Sequence, residues 1–339
     1  MGLLSHLLKP VYGETLTSWI SRLVGAEYID EEQINNAYAS QAHHTRGDLD
    51  VLYQCDDFMR LLEPKLRDAI QNRFRLPDLP LLSFASSDVY CPRCLKEDVA
   101  AGIAPAWRIS WRIQGACLCE QHESPMLLRR LDSTRFTHMN KGWIAFGDHI
   151  NSPASRLSVD FAVTKARSRS EITRNRILLH LIRRVQRWKS SQVDMGLVSE
   201  LSPLAGRYLM YVWLWQNVDY AGTCGFARQY FRPMRGSVIT PSPRKGLGLV
   251  TLFDRVDMQH VGVAYLLLGI AYGVISQEES ELIREITFSV SWIFPVNRHE
   301  VGACGRSALG REALERVREE VRDALRDRDF QLIVWAFDQ

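Results

Sequence analysis

The sequence predicts a mostly α protein: a helical N-terminal domain, a small β ribbon stapled by a metal, and a helical C-terminal domain. Three observations carry this. Apolar residues recur at helical spacing near the start and through most of the second half, two close pairs of Cys and His residues lie between positions 91 and 122, and side chains alternate with period two between those pairs. The expected boundaries are 1–82 for the N-terminal helical domain, 83–150 for the ribbon and 151–339 for the C-terminal helical domain with a basic patch.

From Glu14 onward, Leu16, Trp19, Ile20, Leu23 and Val24 fall on one face of a helix. Asp30 followed by Gln33 has the form of a capping box for a second helix. Periodic apolar residues over 51–62 and 66–74 predict two more, and the Pro-rich stretch 76–81 ends the pattern.

Over 105–114 the period changes. Trp107, Ile109, Trp111 and Ile113 alternate with Arg108, Ser110, Arg112 and Gln114, which predicts a half-buried strand with tryptophans inward and arginines outward. On either side stand Cys91-Pro-Arg-Cys94 and Cys119-Glu-Gln-His122, separated by 24 residues. Two tight pairs at this distance are the arithmetic of a zinc ribbon, because Zn2+ takes four tetrahedral thiolate or imidazole ligands and each two-residue spacer aims a pair at one ion. Cys117 with His122 makes a looser alternative, but Cys119 repeats the spacing of the first pair. A shell closed by four protein ligands leaves no place for an activated water, so one structural Zn2+ is expected.

Beyond 151 the pattern is helical again. A basic helix is expected over 171–189, an apolar and aromatic one over 204–215, a loop over 233–248, a buried helix over 261–275 and a charged amphipathic helix over 312–326, with a weak strand over 330–337. The 261–275 stretch contains three glycines and is shorter than the roughly 18 residues of a membrane span, so no membrane partner is expected.

The net charge of +3 hides a segregation. Residues 86–255 hold 25 Lys and Arg against 13 Asp and Glu, whereas both flanking regions are acidic. A basic centre is what neutralisation of a nucleic-acid backbone requires, and a solvated surface or an acidic protein partner is the competing explanation. On the 171–189 helix, Arg176, Arg183 and Arg187 fall opposite the apolar face, flanked by Arg184, with Arg174 and Lys189 off this row near the helix ends. Arg228, Arg232 and Arg235 form a second basic cluster beside Tyr230 and Phe231.

Several function classes find no support. Seven cysteines, with Cys55, Cys224 and Cys304 isolated, do not make a secreted disulfide framework, and the first residues lack a secretory signal, so a cytoplasmic location is expected. A nucleobase deaminase needs an H-x-E element upstream of P-C-x-x-C, whereas here Cys91 precedes Pro92 and His122 follows the cysteines. Lys245 lacks the upstream glycine spacing of a phosphate-binding loop, and no role attaches to His43, His44, Arg46 and Asp48. No catalytic residue is nominated, and the chain is expected not to be an enzyme.

Read in order, Pro10, Glu14, Leu16, Ser18, Trp19 and Arg22, then Cys91-Pro92-Arg-Cys94-Leu95, Arg108 with Trp111, and Cys119 to His122 followed by Leu127, resemble the TniQ family of transposon target-selection proteins over roughly residues 8–130. The resemblance implies a non-catalytic adaptor that marks an insertion site and recruits the transposition ATPase and transposase. In CRISPR-associated relatives such a protein rides on an RNA-guided effector complex as a homodimer, and RNA-guided and direct DNA-reading branches both stay open. Many relatives have a second cysteine cluster after the first finger. Here no cysteine lies between Cys119 and Cys224, so a single zinc is expected, and the length matches the compact branch. A zinc-ribbon DNA-binding transcriptional regulator is the alternative function, and a metal-dependent nuclease the enzyme hypothesis.

Overall fold

A computed structural model describes residues 8–28, 30–32, 48, 50, 67–68, 70, 73–74, 76–77, 79–131, 140–151, 169–194, 201–216, 224–230, 256–287 and 293–338. The chain divides into two units: residues 1–121 with 128–158, and residues 159–339 with the short stretch 122–127. The structure is mostly helical with a small β region, as the sequence predicts.

In the first unit, α1 spans Leu16–Gly25, and the Thr15 hydroxyl caps it by accepting the Ser18 N–H. Leu16, Trp19, Ile20 and Leu23 are buried, the face the apolar spacing predicts. Asp30 does accept the Glu32 N–H, but Gln33 and the helices expected over 51–62 and most of 66–74 lie outside the described residues. Strand β1 (Val89–Tyr90) leads into α2 (Pro92–Ala100), and the short strand β2 (Leu118–Cys119) follows; β3 (Met126–Leu127) lies in the 122–127 stretch grouped with the second unit. Strand β4 (Arg129–Arg130) pairs antiparallel with β1, Val89 opposite Arg130. Helix α3 covers Lys141–Asn151.

The strand expected over 105–114 is not there. A 3-10 turn, Ile109–Arg112, sits between single bridges at Arg108, which faces Glu14, and Ile113, which faces Leu81. The tryptophans are inward as predicted, meeting edge to face at 5.4 Å, but Arg108 and Arg112 are buried as well. Period-two alternation implies outward arginines only while they have no buried partner. Here Arg108 pairs with Asp98 at 2.6 Å, and Arg112 lies between Asp48 and Asp50, so a turn that buries both faces is tolerated.

In the second unit, α4 (Arg169–Asp194) packs on α7 (Met258–Ala271), which is also covered by α5 (Pro203–Leu214) and α9 (Arg298–Ala324). Helix α7 is the buried helix expected from the sequence, apolar around its whole circumference. A Cβ on Gly269 would stand 2.5 Å from Val185 Cγ2, so glycine sets how closely α4 approaches. Short α6 (Phe226–Gln229) and α8 (Gln277–Thr287) complete the core, and α9 kinks at Gly310, whose φ of 71° suits glycine. The weak strand expected over 330–337 is instead helical, α10 (Asp327–Gln331) followed by a 3-10 turn, Val334–Ala336. Buried Phe330, Ile333 and Phe337 are spaced for one helical face. The loop expected over 233–248 lies outside the described residues. Among those residues no helix is long and apolar enough to cross a membrane.

Candidate metal centre

The residues that carry the TniQ-like pattern near the N-terminus form a buried polar clasp. Glu14 accepts from Arg22 through both oxygens, at 2.9 and 2.8 Å, and also from the Ser18 hydroxyl and the Val11 N–H. Burial raises the Glu14 carboxyl above its ordinary value, against the pull of Arg22. Ser18 Oγ accepts the Trp107 N–H, Thr15 N–H donates to Trp107 O, and Trp19 Nε1 donates to Leu8 O. The clasp thus joins α1 to the segment entering the 3-10 turn.

That turn is fixed by a second cluster. Arg112 donates to Asp48 and Asp50, each at 2.5 Å, and twice to Leu82 O. Asp50 in turn accepts the Leu16 N–H and the Thr17 hydroxyl, and Asp48 accepts the Phe84 N–H. Burial pushes Asp50 up to about 6 despite Arg112. Beside it Lys141 lies 4.4 Å over the Trp107 ring and donates to Phe84 O, and burial pulls its ammonium down to about 7. Sequence reasoning missed Asp48, Asp50 and Asp98 as partners. Two buried arginines spaced four apart are the signal that acids elsewhere must answer them.

On this frame the four residues expected to hold the metal converge. Cys91 immediately precedes α2 and Cys94 lies in its first turn, with Pro92 at the first helical position, where no N–H is needed. Both thiols therefore stand at a helix N-terminus, the end that favours thiolates. Cys119 ends β2 and His122 follows in the turn before β3, which pairs with β2. All four side chains are buried, and one ligand atom from each lies within 4.8 Å of the others. The Cys94 and Cys119 sulfurs are 3.6 Å apart, close to the roughly 3.8 Å between two sulfurs on a tetrahedral ion at about 2.3 Å. Hydrogen bonding to Cys119 is the largest influence on both thiols of the first pair, holding Cys91 up to about 12 and Cys94 still higher. Three buried sulfurs and an imidazole gathered at these distances match the donor set and geometry of a divalent ion. Cys117 is buried outside this group, its carbonyl accepting the Leu128 N–H.

The basic residues take varied positions. Arg174, Arg176, Arg184 and Arg187 are exposed on α4, Arg184 in an ion pair with Glu279. Arg183 donates to Glu123 O at 2.9 Å, and Lys189 lies 5.6 Å over the Tyr265 ring. Arg228 donates to Leu214 O and Gln216, and Tyr230 beside it is fully buried. Arg232 and Arg235 lie outside the described residues.

Fold and site together define a mostly helical protein with a buried Cys3His cluster that could hold a metal ion. A protein-family model described as TniQ matches residues 6–126, about a third of the chain. TniQ proteins are adaptors associated with target selection in transposition. No curated protein and no solved structure matches the chain.

Proposed function

We propose that the chain is a non-catalytic target-selection adaptor in DNA transposition that recruits the transposition ATPase and transposase. The observation that carries this is the TniQ match over 6–126, a segment that contains the Glu14–Arg22 clasp and all four metal ligands. The soft donor set of three cysteines and one histidine favours a single Zn2+ in a structural role. Binding to a DNA or RNA backbone is assigned to the exposed α4 residues Arg174, Arg176, Arg184 and Arg187, supported by the charge segregation along the sequence. In this role the zinc holds α2 and the β2–β3 turn in place, and α4 supplies charge that binds phosphate without reading bases.

A reconstituted insertion reaction, with and without the chain, tests the proposal. Insertions are expected to concentrate at one target only when the chain is present, and the ATPase is expected to copurify with it. An unchanged insertion profile would overturn the adaptor reading. Cleavage of DNA by the chain with magnesium or manganese, abolished by one carboxylate substitution, would replace it with a nuclease. Retention on its own promoter without any transposition protein would favour a regulator.

A further inference from the structure

Helix α3 is amphipathic the wrong way round. It buries Lys141, Ala145 and His149, spaced four apart, while Trp143 is 53 % and Ile150 57 % exposed. Phe146 lies half-buried between them, edge to face with Trp143 at 6.0 Å. A Cβ at Gly142 would stand 2.3 Å from Pro105 O, so the helix start is pinned against that segment and Trp143 is held at its edge. Next to Trp143 opens a cavity of about 550 Å3, walled on one side by Ser18, Ser21 and Gly25 of α1 with Ala26 just beyond its end, and on the other by residues 102–105. The α1 face that lines it carries only small side chains besides Arg22, leaving room for another backbone to come close.

We infer that this groove and the apolar stripe of α3 form a docking surface for an amphipathic helix of a partner protein, with bulky apolar side chains inserted beside Trp143 and a carboxylate near Lys9. Charge selects this occupant. Exposed Lys9 stands among the lining residues, Arg22 is satisfied by Glu14, and among the described residues no carboxylate lines the groove. A helix laid in a groove, anchored by one large aromatic and fixed in register by one ion pair, is a common mode of recognition. The inference deepens the adaptor reading by naming a surface for protein recruitment. Its test needs no transposition protein, so the two fail separately.

The probe is a displayed library of helical 18-residue peptides, selected on the full chain, with the most enriched peptide then made in fluorescent form. Enriched peptides are expected to pair bulky apolar residues with an acid. Trp143→Ser is expected to weaken binding of the labelled peptide by at least about tenfold, as removal of an aromatic anchor does. Lys9→Glu is expected to weaken binding chiefly at low salt, with recovery when the peptide acid is changed to lysine. Both positions are exposed, so metal content and circular dichroism should stay unchanged. Enriched peptides that bind Trp143→Ser as well as the parent would overturn the proposal. So would a chain that sediments as a dimer and becomes monomeric on Trp143→Ser, since the occupant would then be a second copy.

Discussion

Replacing Arg112 with methionine removes the cation between two buried carboxylates while keeping most of the apolar stem. Arg112, Asp48 and Asp50 are each no more than 2 % exposed. Neither carboxylate is orphaned by the change, because Asp48 keeps the N–H groups of Phe84 and Asp50, and Asp50 keeps the Leu16 N–H and the Thr17 hydroxyl. What they lose is charge compensation, and breaking one side of a buried ion pair costs about 3–5 kcal/mol. Against a total stability of about 5–15 kcal/mol this is a large share. The carboxylates can relieve the loss by binding protons, so the variant should suffer more at pH 8 than at pH 5. The assay is urea unfolding combined with hydrogen exchange at the Leu16 and Phe84 amides, which these carboxylates hold. A loss of about 3 kcal/mol or more is expected at pH 8, with faster exchange at both amides and partial recovery at pH 5. Adding Asp48→Asn and Asp50→Asn should restore much of the stability, since no buried charge then lacks a partner. A loss below about 1 kcal/mol with both amides still protected would refute the idea that this cluster ties α1 to the 3-10 turn.

Two buried groups should give opposite pH slopes. Asp50 is raised from 3.8 to about 6, so the folded state binds its proton more tightly, and stability falls as pH rises through that window, by at most about 3 kcal/mol. Lys141 is lowered from 10.5 to about 7, so the unfolded state binds more protons between those values and stability rises with pH there. Thermal melts compared with Asp50→Asn and Lys141→Met should show each slope flattened, and parallel curves would contradict the assignment. On α4, Arg176→Glu with Arg187→Glu should weaken DNA retention and make the slope of log affinity against log salt shallower by about one for each phosphate these arginines neutralise. Unchanged binding would remove this helix from the interface. Arg184→Ala removes the exposed ion pair with Glu279 and should cost no more than about 1 kcal/mol in unfolding experiments.

The parts legible in the sequence are those set by local spacing. Leu16, Trp19, Ile20 and Leu23 define the buried face of α1, the uninterrupted apolar run defines α7, and the two-residue spacers pick out Cys91, Cys94, Cys119 and His122. Choices governed by distant partners were not legible. Arg108 and Arg112 point inward because Asp98, Asp48 and Asp50 meet them, and two of those acids are more than sixty positions from Arg112. Phe330, Ile333 and Phe337 fit a helical period, but the short, mixed apolar run 330–337 resembles a strand until the turn of α10 is seen. The inverted face of α3 was equally hidden, since nothing local says that Lys141 will lie under the Trp107 ring while Trp143 faces solvent.

The most direct test is metal analysis of the purified full-length chain and two of its variants. About one zinc per chain is expected, kept in Cys117→Ala, whose sulfur lies outside the cluster, and lost in Cys119→Ala, whose sulfur stands 3.6 Å from that of Cys94. A chain that binds no zinc, or that keeps it in Cys119→Ala and loses it in Cys117→Ala, would contradict the metal centre described above.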